Sequence, residues 1–304
     1  MTLIAITGAT GFVGQALVDR ALEAGLEVRA LARREQAKRK GVTWVQGDLA
    51  NPRALARLMK GAEAVIHVAG VVNAPDAAGF EAGNVEGTLS TIEAARKAGV
   101  PRFVCVSSLS AREPGLSDYG ASKAKAEKLV KASGLDWTIV RPPAIYGPRD
   151  KEILELFRLA RWRVLPMPPK QGRASLIHVD DLARLLLALV PHSRGTFHKV
   201  FEPDDGKPGG WSHYELARAI GWAAGRRPWV LHLSQKALGW VAAADARLRK
   251  DKAKLTADRV RYMCHPDWVV RERLRAPKGL WQARIETRQG LKATADWYRE
   301  QGWL

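Results

Sequence analysis

Residues 3–14 read LIAITGATGFVG, in which a short apolar run is followed by a turn containing Gly8, Gly11 and Gly14. The apolar run predicts a strand, and the pattern from Gly14 to Ala24 predicts a helix. In such a strand–turn–helix unit, Gly8 permits the tight turn, Gly11 lets the backbone approach a pyrophosphate, and Gly14 lets the helix pack against the strand. The first N–H groups of the helix would face the phosphates. The stretch therefore predicts a dinucleotide-binding unit at the start of an α/β fold.

The rest of the N-terminal half alternates short apolar runs with helical patterns. Strands are predicted at Leu26–Ala32, Trp44–Gln46, Ala64–Val68, Phe103–Val106 and Trp137–Val140, and helices at Pro52–Lys60, Ala82–Ala98 and Ser122–Ser133. This alternation is typical of βαβ units, which build a parallel sheet with helices on both faces. After Pro142 the pattern loosens; a helix is predicted at Asp181–Leu189, a turn-rich break at 203–210, and a smaller, mostly helical lobe beyond it.

The end of the second predicted strand bears on which dinucleotide is bound. An acidic side chain there would hydrogen-bond the ribose of NAD, but the sequence has Ala32, followed by Arg33 and Arg34. A guanidinium group matches a phosphate in bidentate geometry, so the pattern favours NADP over NAD. The alternative is that both arginines are ordinary surface charge. Asp48 follows the next short strand, where it could accept a hydrogen bond from the adenine amino group, cap the following helix, or do both.

Composition limits the classes of partner and the compartment. The net charge of +18 is spread along the chain, which indicates a solvated basic surface, with attraction of phosphorylated ligands or anionic lipid as alternatives. Nucleic acid is not expected because no helix-turn-helix, zinc-finger or RNA-binding signature is present. The two cysteines, the lack of a signal-peptide pattern and the absence of a long apolar run predict a cytoplasmic protein.

Several short motifs occur in order along nearly the whole chain. They are TGATGFVG, GDL at 47–49, HVAG at 67–70, NVEGT at 84–88, VSS at 106–108, YGASK at 119–123, RPPAIYGP at 141–148 and IHVDDLA at 177–183. Together they resemble the extended, and in part the atypical, short-chain dehydrogenase/reductase family, which includes NAD(P)-dependent epimerases, dehydratases and reductases. The resemblance implies a Rossmann-type doubly wound parallel sheet over residues 1–145, to which 174–200 return. It also implies a substrate-binding lobe made of 146–173 and 201–304.

The same motifs imply which residues bind the cofactor. Besides Arg33, Arg34 and Asp48, they are Gly8, Thr10, Gly11, Phe12, Val13, Gly14, Leu49, Ala69, Gly70, Tyr119, Lys123, Pro142, Ala144 and Ile145. His67 and Asn84 are expected to be structural or adjacent to the cofactor. No metal is expected: His178, Asp180 and Asp181 have a spacing that could hold one, but no further ligand group stands out.

A tyrosine lies four residues before a lysine in SDYGASK, residues 117–123, which places both on one face of a helix. A free tyrosine, with a pKa of about 10, is a poor base, and a nearby ammonium favours the phenolate. Tyr119 is therefore predicted to exchange a proton with the substrate oxygen. Lys123 is predicted to hold the nicotinamide ribose and lower the pKa of Tyr119, and Ser108 to hydrogen-bond the substrate oxygen.

Ten residues separate Ser108 from Tyr119, where sugar epimerases of the family usually carry a longer insertion. The short loop favours an NADP-dependent oxidoreductase acting on a carbonyl or hydroxyl of a small, hydrophobic or sugar-derived substrate. The alternatives are a nucleotide-sugar epimerase or dehydratase and a dinucleotide-binding subunit without catalysis. The segment Ala237–Leu255 begins apolar and ends basic, which predicts a lobe helix, with peripheral membrane contact as the alternative. The resemblance also makes a homodimer an expectation.

Overall fold

The computed structural model describes residues 2–191, 193, 195–249 and 255–304. The strands are β1 Leu3–Thr7, β2 Glu27–Ala32, β3 Val42–Gln46, β4 Ala64–His67, β5 Arg102–Val106, β6 Asp136–Val140, β7 Ala144–Tyr146, β8 Val164–Met167, β9 Arg173–Ala174, β10 Leu176–His178, β11 Lys199–Phe201, β12 Trp211–Ser212, β13 Trp229–His232 and β14 Asp267–Trp268. The α-helices are α1 Phe12–Glu23, α2 Pro52–Met59, α3 Ala77–Phe80, α4 Gly87–Lys97, α5 Asp118–Lys131, α6 Glu152–Arg161, α7 Val179–Ala188, α8 His213–Ala223, α9 Gln235–Arg249, α10 Ala257–Met263 and α11 Thr287–Glu300. A π-helix spans Glu81–Glu86, and 3-10 helices span Leu109–Arg112 and Glu272–Leu274.

The chain forms two compact units. The first contains Met1–Pro142, Leu182–Glu202 and Ala276–Trp281, and the second contains Pro143–Asp181, Pro203–Arg275 and Gln282–Leu304. The first unit was predicted to end at 145 and to resume at 174, but it ends at Pro142 and resumes at Leu182. The difference arises because β7 pairs with β10 in a separate two-stranded sheet and not with the large sheet.

The first unit is built on a seven-stranded parallel sheet among its described residues, in the order β11-β6-β5-β4-β1-β2-β3. This order is that of a Rossmann fold, so the predicted fold class is confirmed. Val65, Phe103 and Ile139 on three neighbouring strands are fully buried with Leu55 and Leu58 of α2 in one core cluster. A parallel sheet needs such cover on both faces, which explains its nearly continuous apolar strands. The strand order reverses between β1 and β4, and this switch point opens a crevice at the carboxyl ends of the strands.

Two helices begin earlier than the sequence pattern predicts. Helix α5 begins at Asp118 and not at Ser122, because the Ser117 side chain accepts a hydrogen bond from the Gly120 N–H at 2.9 Å. Helix α1 begins at Phe12, directly after Gly11. The predicted helix Ala82–Ala98 is a π-helix followed by α4, and π-helical turns occur frequently at functional sites.

The second unit packs helices α6, α8 and α11 around short strands. Its core contains Phe157, Ile220, Leu291 and Tyr298, and the Tyr298 hydroxyl donates to the Asp150 carbonyl at 2.6 Å. The predicted mostly helical C-terminal part is therefore confirmed, with small two- and three-stranded sheets added. None of the described helices combines the length and the apolar content needed to cross a membrane.

The aspartates of the IHVDDLA motif have structural partners within the second unit. Asp181 is buried and accepts hydrogen bonds from the N–H groups of Arg284 and Ile285, at 3.1 and 3.0 Å. The Asp180 N–H donates to His178 Nδ1 at 3.2 Å. Within the described part of the chain, no group of three or more His, Cys, Asp or Glu side chains could hold a metal ion.

Candidate active site

Two glycines of the turn after β1 have no room for a side chain. Gly8 has a φ of +72°, and a Cβ there would lie 2.6 Å from the Ala69 nitrogen after β4. A Cβ on Gly14 would lie 2.0 Å from the Gly8 carbonyl oxygen. The backbone of the turn therefore lies against both the neighbouring strand end and the first turn of α1, as the sequence predicts.

Above this turn the structure leaves room for an anion. A Cβ on Gly11 would meet only the Gly8 oxygen, at 3.3 Å, and no side chain of a described residue caps α1. The first N–H groups of a helix have no partner inside the helix, so those around Phe12, Val13 and Gly14 point toward this space. Thr10 is exposed, and its carbonyl accepts from Gln15 Nε2 at 2.8 Å. An uncapped helix end with open space in front of it fits a pyrophosphate.

A buried hydrogen-bond chain fixes the two walls of the crevice. The Thr88 hydroxyl donates to the Asn84 carbonyl at 2.6 Å, so its oxygen accepts from His67 Nε2 at 3.0 Å. His67 Nδ1 then carries no proton and accepts from the Thr7 hydroxyl at 2.8 Å. Burial, with a smaller effect of Lys123, lowers the pKa of His67 to about 3. His67 is therefore a neutral structural link between the ends of β1 and β4 and helix α4.

Asn84, in the π-helix, clamps the loop that follows β4. Its Oδ1 accepts from the Val71 N–H at 2.7 Å, and its Nδ2 donates to the Val71 carbonyl at 2.9 Å and to Ser122 Oγ at 2.9 Å. Ser122 Oγ in turn donates to the Tyr119 carbonyl at 2.8 Å. The side chain thus ties the loop beside the crevice to the helix that carries Tyr119 and Lys123.

The predicted Ser108, Tyr119 and Lys123 come together at the carboxyl end of β5. Ser108 is two residues past the strand and caps the 3-10 helix Leu109–Arg112. Ser110 donates to Ser108 Oγ twice, from its N–H at 3.2 Å and from its hydroxyl at 2.9 Å. Those two bonds occupy the acceptor sites of Ser108 and leave its own proton to donate. A side-chain hydrogen bond joins Ser108 to Tyr119.

The expected lowering of the Tyr119 pKa is wrong for this structure. Burial raises the pKa of the phenol, and the hydrogen bond with Ser108 opposes that rise. Tyr119 is half-buried, and its ring lies 6.0 Å from that of Phe80, in tilted contact. The cost of removing the phenolate from water outweighs the hydrogen bond with Ser108. Tyr119 is therefore a protonated phenol at neutral pH.

Lys123 lies beneath the loop after β4. Its Nζ donates to the Val106 carbonyl at 2.8 Å, and a Cβ on Gly70 would lie 3.6 Å from this Nζ and 2.9 Å from Asn84 Oδ1. Burial lowers the pKa of the ammonium, whereas Cys105 and Glu127 raise it. The narrow space at Gly70 explains why no larger residue stands there.

A cluster of buried charges behind Ser108 was not predicted. Ser107 donates to Glu127 at 2.6 Å, Arg141 binds both oxygens of Glu127 at 2.7 and 2.6 Å, and Arg141 and Arg112 each approach Glu202, at 3.5 and 3.4 Å. The signal for it was present, because Glu127 follows Tyr119 and Lys123 at the same four-residue spacing. The cluster ties α5, β6, β11 and the 3-10 helix together.

The ends of β2 and β3 border a basic cleft of about 710 Å³. Ala32 is buried, whereas Arg33 and Arg34 are exposed. The cleft is lined by Ala32, Arg34, Glu35, Gln36, Lys38, Arg39, Lys40, Val42, Trp44 and Gln46. Arg33 is not part of this lining, so of the two predicted arginines only Arg34 faces the cleft.

The predicted cap role of Asp48 is wrong. Helix α2 is capped by Asn51, whose side chain accepts from the Ala54 N–H at 3.0 Å, while Asp48 accepts from the Ala50 N–H at 3.0 Å. Asn51 is adjacent to the first helical residue, Pro52, and Asp48 is too far upstream. Asp48 is exposed and Leu49 half-buried at the end of β3.

The RPPAIYGP motif divides between the two units. Pro142 ends a continuous stretch of the first unit, and its carbonyl accepts from the Leu109 N–H at 3.1 Å, which anchors the segment that carries Ser108. Ala144 and Ile145 belong to β7 of the second unit and pair with Leu176 and Ile177.

Comparison with known proteins agrees with this arrangement. Residues 8–192 match a family model described as NAD(P)H-binding. The chain is 39% identical over 310 residues to a ceramide reductase from Caulobacter vibrioides, covering 99% of this chain and 96% of the relative. It is 28% identical to a UDP-glucose 4-epimerase from Vibrio cholerae, covering 75% and 77%. The structure of MoeE5 in complex with UDP-glucuronic acid and NAD has the same fold, with a TM-score of 0.75, 23% identity and coverage of 99% and 100%.

The match of the NAD(P)H-binding model spans the glycine turn, the crevice and the helix that carries Tyr119 and Lys123. The two relatives, which the chain matches over most of their lengths, are named a reductase and an epimerase. The chain therefore belongs to the NAD(P)H-binding, extended short-chain dehydrogenase/reductase family and is an enzyme of the oxidoreductase and epimerase type.

Proposed function

We propose that the chain is an NADPH-dependent reductase that delivers a hydride to the carbonyl carbon of a lipid-like substrate. Ser108, Tyr119 and Lys123 are the proposed catalytic residues. The observation that carries the proposal is the hydrogen bond between Ser108 and Tyr119, made at the same edge of the sheet as the glycine turn. Because the carboxyl ends of parallel strands share one edge, a dinucleotide on that turn would extend toward these side chains.

The protonation state of Tyr119 supports reduction over oxidation. A phenol whose pKa is raised is a proton donor at neutral pH. When bound, NADPH supplies a hydride from carbon 4 of its nicotinamide ring. Tyr119 would give its proton to the carbonyl oxygen as that oxygen gains negative charge, so the products are an alcohol and a phenolate. Water then returns a proton to the phenolate.

Ser108 would stabilise the charge that develops in this step, and Lys123 would hold the cofactor. Ser110 already fills the acceptor sites of Ser108, so the Ser108 hydroxyl would donate to the carbonyl oxygen. Lys123 is held by the Val106 carbonyl under Gly70, from which it would reach the nicotinamide ribose.

The basic cleft supports NADPH as the preferred cofactor. Arg34 and three further cations, Lys38, Arg39 and Lys40, line it, and no carboxylate stands at Ala32. Arg39 is engaged with Asp19 at 2.8 Å, so Arg34 is the best candidate for the 2′-phosphate. Asp48 remains our candidate acceptor for the adenine amino group.

The similarity to the ceramide reductase supports the proposed substrate class. The ceramide reductase shares 39% of its residues with this chain over nearly the full length of both. A long-chain carbonyl lipid is therefore the substrate class that we propose. A second candidate is epimerisation of a nucleotide sugar. It is supported by the 28% identity to the UDP-glucose 4-epimerase, which covers about three quarters of each chain. The short segment between Ser108 and Tyr119 favours the reductase.

A paired assay tests the proposal. We expect the protein to oxidise NADPH when a long-chain keto-lipid is supplied in detergent micelles, and to leave UDP-glucose unchanged in an epimerisation assay. Lys123→Met should reduce the reductase rate by at least about a hundredfold. Lys125→Met is the matched control, since Lys125 lies on the same helix but is exposed and paired with Glu81. Conversion of UDP-glucose, or an unchanged rate in Lys123→Met, would contradict the proposal.

A further inference from the structure

The paired strands β8 and β13 of the second unit present an apolar face to solvent. Val164 pairs with Trp229, and Pro166 with Leu231. Val164, Trp229 and Leu231 are 46%, 81% and 53% exposed. The alternate residues Leu165 and Met167 point into the core, as the two-residue period of a strand requires. We call the exposed side, Val164, Pro166, Trp229 and Leu231, the outer face.

Further exposed apolar side chains lie close to it along the chain. Trp162, two residues before Val164, is 82% exposed. Helix α9 begins three residues after β13, and its Trp240, Val241 and Leu248 are 77%, 50% and 84% exposed. Trp162, Trp229 and Trp240 therefore lie at the surface and not in a core. Residues 250–254, the basic end of the segment predicted at Ala237–Leu255, lie outside the described residues.

Four exposed arginines lie close in sequence to the outer face. Arg161 and Arg163 flank Trp162, and Arg226 and Arg227 precede Trp229 closely in sequence. The Trp229 N–H donates to the Arg163 carbonyl at 2.8 Å, so the two segments are adjacent. In the part of the chain that the structure describes, none of these arginines forms an ion pair. The sequence has no Asp or Glu from 156 to 179 or from 216 to 244. These two segments thus combine apolar and cationic side chains without an acidic one.

We propose that this outer face, with Trp162 and the arginines around it, docks the protein on an anionic lipid bilayer. Tryptophan is favoured at the membrane interface because its ring is apolar and its N–H remains hydrated. Arginine adds attraction to anionic headgroups. The inference goes beyond the proposed function, because docking requires neither cofactor nor carbonyl chemistry.

Two other occupants fit the surface less well. In a symmetric dimer the same patch would meet itself, which would bring the arginines of both copies together without a carboxylate between them. Nucleic acid would be attracted by the arginines, but Leu231 and Val164 would gain nothing from a phosphate backbone. A bilayer interface satisfies both components, because the apolar side chains enter the acyl boundary while the guanidinium groups stay at the headgroups.

Sedimentation with lipid vesicles tests the proposal on the full chain. We expect binding to vesicles of phosphatidylcholine with phosphatidylglycerol, and much weaker binding to phosphatidylcholine alone. The double variant Arg226→Gln, Arg227→Gln should weaken binding roughly thirtyfold. Trp162→Ser with Trp229→Ser should weaken it at least about tenfold. The matched controls, Arg96→Gln with Lys97→Gln on α4 and Tyr214→Ser on α8, should bind as the unmodified protein does.

Several outcomes would overturn the proposal. They are absent binding to the anionic vesicles, arginine variants that bind no more weakly than the α4 control, and a dimer in sedimentation velocity that Trp229→Ser dissociates. Displacement of the protein from vesicles by double-stranded DNA but not by added salt would also overturn it. Should the tryptophan variants fail to fold, the arginine pair still decides, because its side chains are exposed. Since no substrate is present, a failed reductase assay would leave these results unaffected.

Discussion

At the residue scale, Tyr119 is the group whose chemistry can be isolated most cleanly. Tyr119→Phe keeps the ring beside Phe80 and removes only the hydroxyl that binds Ser108. We expect kcat to fall by about 10²–10⁴, because the carbonyl oxygen loses its proton donor, while the affinity for NADPH stays the same. Steady-state rates and a cofactor fluorescence titration measure the two effects. Tyr214→Phe, at an exposed site on α8, should change neither.

The pH profile distinguishes a proton donor from a base. Burial raises the pKa of Tyr119, so the phenol stays protonated at neutral pH. The reduction rate should therefore be level through neutral pH and fall as the pH rises through the Tyr119 pKa. Ser108→Ala removes the hydrogen bond that opposes the rise in the Tyr119 pKa. In this variant the reduction rate should be lower at every pH, and its decrease should occur at higher pH. A rate of reduction that increases with pH would mean that Tyr119 does not act as the acid.

The sequence was sufficient to predict which side chains lie together at the candidate site but not their electrostatics. Ser108, Tyr119 and Lys123 could be predicted because their motifs and spacing are local. The direction of the Tyr119 pKa shift could not be predicted, because it depends on how the fold buries the phenol. Likewise the Asp48 cap failed because Asn51, three residues later, competes for the same helix end.

At the element scale, the glycine turn gives a steric prediction. Gly14→Ala places a Cβ 2.0 Å from the Gly8 carbonyl, so α1 must shift away from β1. We expect a loss of about 1–3 kcal/mol in the free energy of unfolding and at least a tenfold loss in NADPH affinity. Gly115→Ala is the control, because its Cβ would have no atom within 4 Å. Equal cofactor affinity in both variants would show that the turn does not hold the cofactor.

The buried charges behind Ser108 give an energetic prediction. Glu127→Met leaves Arg141 without its bidentate partner, and we expect the free energy of unfolding to fall by about 3–5 kcal/mol. The double variant Glu127→Met, Arg141→Met should recover part of that loss. It removes both charges of the pair, so neither charge stays buried without its partner. Urea unfolding measures both. Lys292→Met, which breaks an exposed pair with Asp296 at 2.6 Å, should cost less than about 1 kcal/mol.

Elements differed in how well the sequence predicted them. The buried strands β1, β2 and β4 were found within a residue or so, because their apolar runs are long relative to their flanks. The two-residue strands β9 and β14 carry no periodic signal. The β8–β13 pair escaped prediction because Trp229 and Leu231 face solvent, which reverses the usual link between apolar residues and burial.

At the scale of the whole molecule, the net charge is +18, and our proposals assign different ligands to two groups of its cations. In the first unit, Arg34 and its neighbours in the cleft would attract a phosphate. In the second unit, Arg161, Arg163, Arg226 and Arg227 would attract headgroups. Neither group could be separated from ordinary surface charge by composition, because only the fold decides which cations share a surface.

Cofactor discrimination tests the first of these assignments and should depend on ionic strength. NADPH should raise the melting temperature more than NADH at equal concentration, because the basic cleft and the positive net charge both favour the extra phosphate. Added salt should reduce the increase in melting temperature caused by NADPH more than the increase caused by NADH, because salt screens the charges.

Arg34→Ala should remove most of the difference between the two cofactors, whereas Arg96→Ala, at the end of α4 and outside the cleft, should preserve it. Thermal-shift titrations at low and high salt measure all three proteins side by side. A larger shift with NADH, or a difference that Arg34→Ala leaves intact, would mean that the arginines after β2 are surface charge and that the chain prefers NAD.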